Sequence, residues 1–362
     1  MSAKVLLFTS DFEPRQGGVA QYYGSLRKGW GEGFQVATSV VGPSEVGVYR
    51  LSWTWPVWPK WIPLLWLIPK YKLMTGAQFL AAGELLPIGT AMLFSHFAFG
   101  WKYFVFMHGL DVQLSQRNIW KRWLARSVLR CASFVVANSN YTAELAKEAG
   151  AKPSTVVVAY PCPTLARAES GVVNELRERH RLNGRNIILT VARLVERKGV
   201  ADILAALSHV VSKVPNVLYV IVGDGPERIT LEAQARAQNL PVLFTGSVTD
   251  TELSAWYELC DVFALTPIVS QVDVEGFGIV YVEAQAAGKA VVGSMVGGVP
   301  EAIGEAGVCV KTEVELVHAL TDILTQVDLR TSLGEKGKAR VANNFTQFKQ
   351  VEKIKAAVAN MG

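Results

Sequence analysis

Short apolar runs alternate along the chain with longer stretches of helical periodicity. Val5–Phe8, Phe34–Val41, Tyr103–Met107 and Phe134–Ala137 predict strands in the first half. Ile187–Val191, Val217–Val222, Val242–Thr245, Val262–Thr266 and Ala290–Gly293 predict strands in the second. Between them, Val19–Trp30, Ala201–Val211 and Arg228–Gln238 predict helices. Strands buried on both faces read as continuous apolar runs rather than as alternation. Strand, helix, strand at this spacing predicts an α/β chain of doubly wound parallel sheets with helices on both faces.

The rhythm breaks at Tyr160-Pro161-Cys162-Pro163, where two prolines continue neither a helix nor a central strand. A polar helical stretch, Glu169–Arg181, follows before the strands resume, and the tail Phe345–Met361 predicts a last helix. We therefore expect domains at 1–164 and 165–344, with residues 345–362 as a terminal helix. In open parallel sheets ligands bind beyond the carboxyl ends of the strands, so two such domains are expected to hold a ligand in a cleft between them.

Composition narrows the class. Half of the 362 residues are hydrophobic and 19% are charged, which excludes a disordered chain. Four cysteines, Cys131, Cys162, Cys260 and Cys309, form no CxxC pair, so neither a disulfide scaffold nor a zinc site is expected. The net charge of +5 is spread without a basic stripe, which argues against nucleic acid and suits an anionic substrate or membrane face. Met1–Thr9 runs into a strand without a secretory pattern, and no apolar stretch has spanning length. The expected location is cytoplasmic, with peripheral contact at the inner face of the membrane.

Candidate chemistry gathers after the strands. Glu275-Gly276-Phe277-Gly278 opens a helix, expected from Phe277 onward, that carries Glu283 about two turns or ~12 Å beyond Glu275. Glycines admit close backbone approach, and a helix N-terminus favours an anion or hydroxyl oxygens. By itself the segment reads either as a long-ligand grip or as a capped helix with a solvated Glu. Arg193 and Lys198 follow strand Ile187–Val191 and could neutralise a diphosphate, or be ordinary surface cations. Gly223-Asp224-Gly225 and Gly17-Gly18 mark turns that could cradle a phosphate or merely bend the chain. His108 ends strand Tyr103–Met107 beside Gly109, facing a site or satisfied in the core. H-E-x-x-H, G-x-S-x-G, Walker A and Asp-x-Asp patterns are absent from the sequence.

Taken in order, these segments resemble glycosyltransferase family 4, retaining enzymes of the GT-B fold. The match runs through Pro14-Arg15-Gln16-Gly17-Gly18-Val19-Ala20, His108-Gly109-Leu110-Asp111, Asn138-Ser139 and Arg193-Leu194-Val195-Glu196-Arg197-Lys198-Gly199. It continues through Gly223-Asp224-Gly225-Pro226, Phe244-Thr245-Gly246-Ser247-Val248, Glu275-Gly276-Phe277-Gly278 with Glu283, and Gly297-Gly298-Val299-Pro300-Glu301. The resemblance implies an acceptor-binding N-terminal domain, a C-terminal domain binding a nucleoside-diphosphate sugar, and a last helix crossing back to the first. It also implies roles: Glu283 on the ribose hydroxyls, and Glu275 with the backbone of Gly276, Phe277 and Gly278 on the donor sugar. Arg193 and Lys198 would clamp the diphosphate, Gly18 would let the first domain approach it, and Gly223 belongs to the donor-binding turns. Backbone near Val248 would touch the base, and His108 would stand beside the reacting sugar.

The implied reaction transfers a hexose from a UDP- or GDP-sugar to a glycan or lipid-linked hydroxyl, with retention and with neither metal nor cofactor. Cell-surface polysaccharide or glycolipid synthesis is the expected setting. An epimerase or phosphorylase on the same fold, or a silent membrane scaffold, are the other readings. Trp53, Trp55, Trp58, Trp61 and Trp66, interrupted by Pro56, Pro59 and Pro63, are expected to form one loop that enters a membrane or binds the acceptor, or else an aromatic packing loop.

Overall fold

The computed structural model describes residues 3–15, 17–53, 59–270 and 274–361. The chain divides into two compact units, Met1–Cys162 with Gln347–Gly362, and Pro163–Thr346. Each is a parallel α/β sheet.

The first unit runs β1 (Val5–Thr9), α1 (Gly18–Trp30), β2 (Phe34–Thr38), β3 (Val48–Arg50), α2 (Leu64–Thr75), β4 (Phe79–Ala82), α3 (Ile88–Phe99) and β5 (Tyr103–Met107). It continues with α4 (Leu110–Gln116), α5 (Ile119–Cys131), β6 (Val135–Ala137), α6 (Asn140–Ala149) and β7 (Val156–Val158). The seven strands lie in the order β3-β2-β1-β4-β5-β6-β7, and chain direction across the sheet reverses between β1 and β4. Val5, Leu6, Leu7 and Phe8 are wholly buried because the sheet is covered on both faces. Each such side chain contributes ~1.5–3 kcal/mol relative to exposure. Leu6 and Phe8 join a core with α2, α3, α5 and α6; Val5 and Leu7 join one with α1 and the closing residues Val351, Ile354 and Val358.

The second unit runs α7 (Ser170–Arg179), β8 (Asn186–Val191), α8 (Val200–Lys213), β9 (Val217–Val222), α9 (Arg228–Ala237), β10 (Val242–Gly246), α10 (Asp250–Leu259) and β11 (Val262–Leu265). Then come α11 (Ile279–Ala286), β12 (Ala290–Ser294), α12 (Val299–Ile303), β13 (Gly307–Val310), α13 (Glu313–Thr325) and α14 (Val327–Asn344). The last helix, α15 (Gln347–Ala359), belongs to the first unit. The six strands are ordered β10-β9-β8-β11-β12-β13, so this sheet reverses between β8 and β11.

Two expectations need correction. The second strand stops at Thr38 rather than Val41, because Thr38 Oγ1 accepts the Val40 N–H at 3.2 Å and turns the chain out of the sheet. The tryptophan segment is not one exposed loop. Trp53 is buried with its ring 6.3 Å from that of Phe8, and Trp61 packs on the same core, stacked against Phe94 at 6.1 Å. These large rings gain more from burial than a surface loop would give them. Trp66 alone of the described three is exposed; Trp55 and Trp58 lie outside the described residues. Helix α2 accommodates Pro69, since Leu64 and Ile68 anchor that helix in the core and offset the hydrogen bond that proline forfeits. The cysteines are free thiols, Cys162 and Cys260 buried and the other two partly so.

Candidate functional site

In a doubly wound sheet, the loops at the carboxyl ends of the strands flanking the reversal diverge and leave room for a ligand. In the second unit those loops follow β8 and β11. The β8 loop passes Arg193, which is exposed, and tightens into a short 3-10 turn at Glu196–Lys198. Gly199 ends that turn at φ 66°, and a Cβ there would lie 1.8 Å from the Thr266 carbonyl oxygen. Thr266 Oγ1 donates to the Gly199 carbonyl at 2.9 Å, and the Ile268 N–H donates to the Arg197 carbonyl at 2.9 Å. The two loops are thus stitched together.

This stitching aims the cations. Lys198 Nζ donates to Glu275 Oε2 at 2.5 Å and Arg197 Nη1 to the same oxygen at 3.3 Å. The Glu275 side chain is 14% exposed and that of Lys198 15%. Burial works against the Glu275 charge, but Lys198 and then Arg197 outweigh it and hold the carboxyl below its ordinary pKa. Arg193, expected with Lys198 at a diphosphate, is not among the cations on this carboxylate; Arg197 is.

Behind Glu275 the backbone is tightly supported. The Gly298 N–H donates to the Glu275 carbonyl at 2.9 Å, and Cβ atoms at Gly297 and Gly298 would meet the Glu275 and Gly276 carbonyl oxygens at 2.2 and 2.1 Å. Helix α11 starts at Ile279, not Phe277, with Gly278 before it at φ 88° and no side-chain cap. Its first N–H groups are therefore oriented for an anion or hydroxyl oxygen. Phe277 is buried with its ring 5.8 Å from Phe345, so only its backbone is offered outward. Counted from this later start, Glu283 lies about one turn inside the helix, ~6 Å by the 1.5 Å rise, against ~9 Å from a start at Phe277. Glu283 is buried, and the Tyr257 hydroxyl donates to its Oε2 at 3.0 Å.

The neighbouring turns line the same strand ends. Gly223, at φ 125°, presses on the Ala192 carbonyl, where a Cβ would stand 2.0 Å away, so its close approach is to the β8 loop. Its N–H donates to the Gly246 carbonyl at 2.8 Å. Val248 is half-buried just before the Thr249 cap of α10.

In the first unit the reversal lies between β1 and β4. Gly17 precedes α1 at φ 151° with open space where a Cβ would be, and Gly18, which starts the helix, is exposed. His108, at the end of β5, is partly buried, and burial pushes its pKa down to about 4, so the ring is neutral near pH 7. Tyr23 explains its tautomer. The single Tyr23 phenolic proton goes to the Gly83 carbonyl at 2.6 Å, which can only accept. His108 Nε2, 2.7 Å from the same oxygen, must then carry the ring proton, leaving Nδ1 as an acceptor. Asp111 Oδ1 accepts the N–H groups of His108 and Gly109, both at 3.1 Å. Glu84, after β4, accepts from Ser10 N–H at 2.7 Å and Ser10 Oγ at 2.6 Å, and burial raises its pKa to about 7.

Sequence reasoning missed Tyr23, Glu84, Arg197 and Tyr257 as parts of these arrangements. Glu84 carried a signal, being a single acid in an apolar stretch directly after a strand. Among the described residues, no group of three or more His, Cys, Asp or Glu could hold a metal ion.

Residues 172–340 match the family model described as glycosyl transferases group 1. Over 93% of both chains the protein is 29% identical to a GDP-mannose-dependent alpha-(1-6)-phosphatidylinositol monomannoside mannosyltransferase of Mycobacterium tuberculosis. It is 28% identical to the GDP-mannose-dependent monoacylated alpha-(1-6)-phosphatidylinositol monomannoside mannosyltransferase of Corynebacterium glutamicum, over 94% of this chain and 93% of that one. The fold is similar to that of Anabaena HepE solved in complex with UDP-glucose, with a TM-score of 0.83 at 19% identity over 99% of both chains. Sucrose-phosphate synthase of Thermosynechococcus elongatus gives a TM-score of 0.77 at 21% identity, also over 99% of both.

Proposed function

We propose that the chain, whose fold is GT-B, is a family-4-like glycosyltransferase that moves a mannosyl group from GDP-mannose to a hydroxyl of a lipid-linked acceptor, with retention at the anomeric carbon. The single observation that carries the donor reading is the buried Lys198–Glu275–Arg197 group at the uncapped start of α11. The relatives' printed activities supply the choice of GDP-mannose and of a lipid acceptor.

In this reading the donor diphosphate lies at the carboxyl edge of the second sheet. Lys198, with Arg193 and the α11 N–H groups, stabilises the negative charge that develops as the sugar–phosphate bond breaks. These cations supply the neutralisation that a divalent metal gives in other transferases, so activity is expected to survive a chelator. Glu275, kept ionised by its two cations, accepts hydrogen bonds from sugar hydroxyls, and Glu283, oriented by Tyr257, accepts them from the ribose. The acceptor oxygen forms its bond to the anomeric carbon on the face the diphosphate leaves, and the acceptor proton passes to the departing phosphate oxygen. His108, neutral with Nδ1 as acceptor, suits a sugar hydroxyl rather than a phosphate.

Thermal denaturation with GDP-mannose, GDP, UDP-glucose and UDP tests the donor. A ligand that binds only the folded chain raises the midpoint by mass action. GDP-mannose and GDP are expected to stabilise, and stabilisation by the uridine pair alone would overturn the choice of donor.

A further inference from the structure

Helices α2, α3 and α5 lie side by side on one face of the first sheet. Their inner residues, such as Ile68, Met92 and Val128, are buried in the core. Their outer faces carry Trp66, Phe94, Phe97, Ile119, Trp120 and Trp123, each between 52% and 76% exposed. Scattered single apolar residues on a surface are ordinary, but three tryptophans, two phenylalanines and an isoleucine on adjacent helices form a patch that marks an interaction site.

The same stretch is cationic. Residues 59–131 hold nine Lys and Arg against two acids, Glu84 and Asp111. Both acids are turned to inner donors at the ends of β4 and β5, Glu84 to Ser10 and Asp111 to the His108 and Gly109 N–H groups. The basic residues are left on the outside: Lys70 on α2 and Lys121, Arg122, Arg126 and Arg130 on α5 are exposed. On α5, Trp120 and Trp123 are interleaved with Lys121, Arg122 and Arg126, while Ala125, Val128 and Leu129 face the core.

We propose that this face docks on a bilayer surface carrying anionic lipid. Tryptophan settles at the level of the headgroups, and Lys and Arg lay their alkyl stems along apolar surface while their charges meet the lipid phosphates. A second copy of the chain is the poorer occupant, because a two-fold contact would set two cationic faces against each other. Docking is peripheral: among the described residues no helix is long and apolar enough to cross a membrane. The inference extends the lipid-linked-acceptor reading, on which it rests for its purpose, and moves the membrane contact from the tryptophan loop to three helices.

The test is co-sedimentation of the full chain with phosphatidylcholine vesicles, alone or with phosphatidylglycerol. The chain is expected to pellet with the anionic vesicles only and to be released by salt. W120S/W123S and, separately, K121Q/R122Q are expected to weaken binding at least about tenfold. K121Q/R122Q leaves both tryptophans in place and keeps the test decisive if W120S/W123S does not fold. A wild-type chain that stays in the supernatant with anionic vesicles, or a folded variant that pellets like wild type, overturns the proposal. So does a concentration-dependent dimer that the same variants dissolve, which would assign the face to a second copy. GDP-mannose stabilisation of both variants is expected to match wild type. A wild type that pellets but is not stabilised would defeat the donor reading and leave docking standing.

Discussion

Replacing Lys198 by alanine removes an ammonium 2.5 Å from Glu275 Oε2 and leaves Arg197, at 3.3 Å, as the remaining cation on that oxygen. The pair is not a screened surface bridge, since each side chain keeps about 15% or less of its surface in solvent. In the resting protein, Glu275 loses its strongest cationic neighbour, so burial gains on it and its pKa rises. An unpaired partner of a buried ion pair costs ~3–5 kcal/mol. Arg197 stays in place and brings the stability loss down to about 1–2 kcal/mol, the range of a weakened buried polar contact. The effect on turnover is larger. A lost donor to developing charge costs ~3 kcal/mol of transition-state stabilisation, or roughly 150-fold in kcat. Initial rates with GDP-mannose and a detergent-solubilised lipid-linked acceptor, taken below the variant's melting temperature, measure it. Lys198→Arg keeps the charge in a different geometry and is expected to fall between. A Lys198→Ala enzyme with kcat within about fivefold of wild type would refute the clamp, because the charge it removes would then not face the leaving group.

Tyr257→Phe deletes the hydroxyl that donates to Glu283 at 3.0 Å. A hydrogen bond to a carboxylate is worth ~1.5–3 kcal/mol, so KM for the donor should rise about tenfold or more with kcat little changed. Calorimetric titration with GDP checks this, and unaltered affinity would reduce Tyr257 to a packing residue. Glu84→Gln probes the first unit. The folded pKa of Glu84 is about 7 against an ordinary 4.5, so the folded chain holds a proton that the unfolded chain releases, and this contribution to stability declines as pH rises from about 4.5 to about 7. His108, lowered to about 4, acts oppositely, its contribution declining as pH falls from about 6.5 to about 4. Urea midpoints across this range, wild type minus Glu84→Gln, isolate the first slope; parallel curves would mean that Glu84 titrates normally.

The longer central strands were legible because they are buried on both faces, and Val217–Val222 appears where its unbroken apolar run placed it, whereas β3, β7 and β13, three or four residues long and only partly buried, were not read from the sequence. The segment from Trp53 to Phe99 was less legible. Strand Phe79–Ala82 is short and half alanine, and α3 is apolar on its outer face as well as its inner one, so neither shows a clean period. At the site, the glycines around Glu275 announced close backbone packing, and the structure has it against Gly297 and Gly298. The pairing of Arg197 with Glu275 carried no signal in the sequence. Arg193 and Arg197 follow the same strand, and the left-handed Gly199 and its bond to Thr266 decide which of them turns inward. The position of Glu283 likewise depended on a helix start two residues later than the motif suggested.

Helix α15 has a consequence for how the molecule is made. Val351, Ile354 and Val358 complete the core that holds Val5 and Leu7, so those strand residues wait until the whole intervening unit has been synthesised before their hydrophobic interior is closed. The intervening unit, Pro163–Thr346, has all its strands in hand before that helix is synthesised. Assembly during translation therefore proceeds from the middle of the chain outward, and a premature stop near residue 346 releases a finished second unit tethered to an open first one.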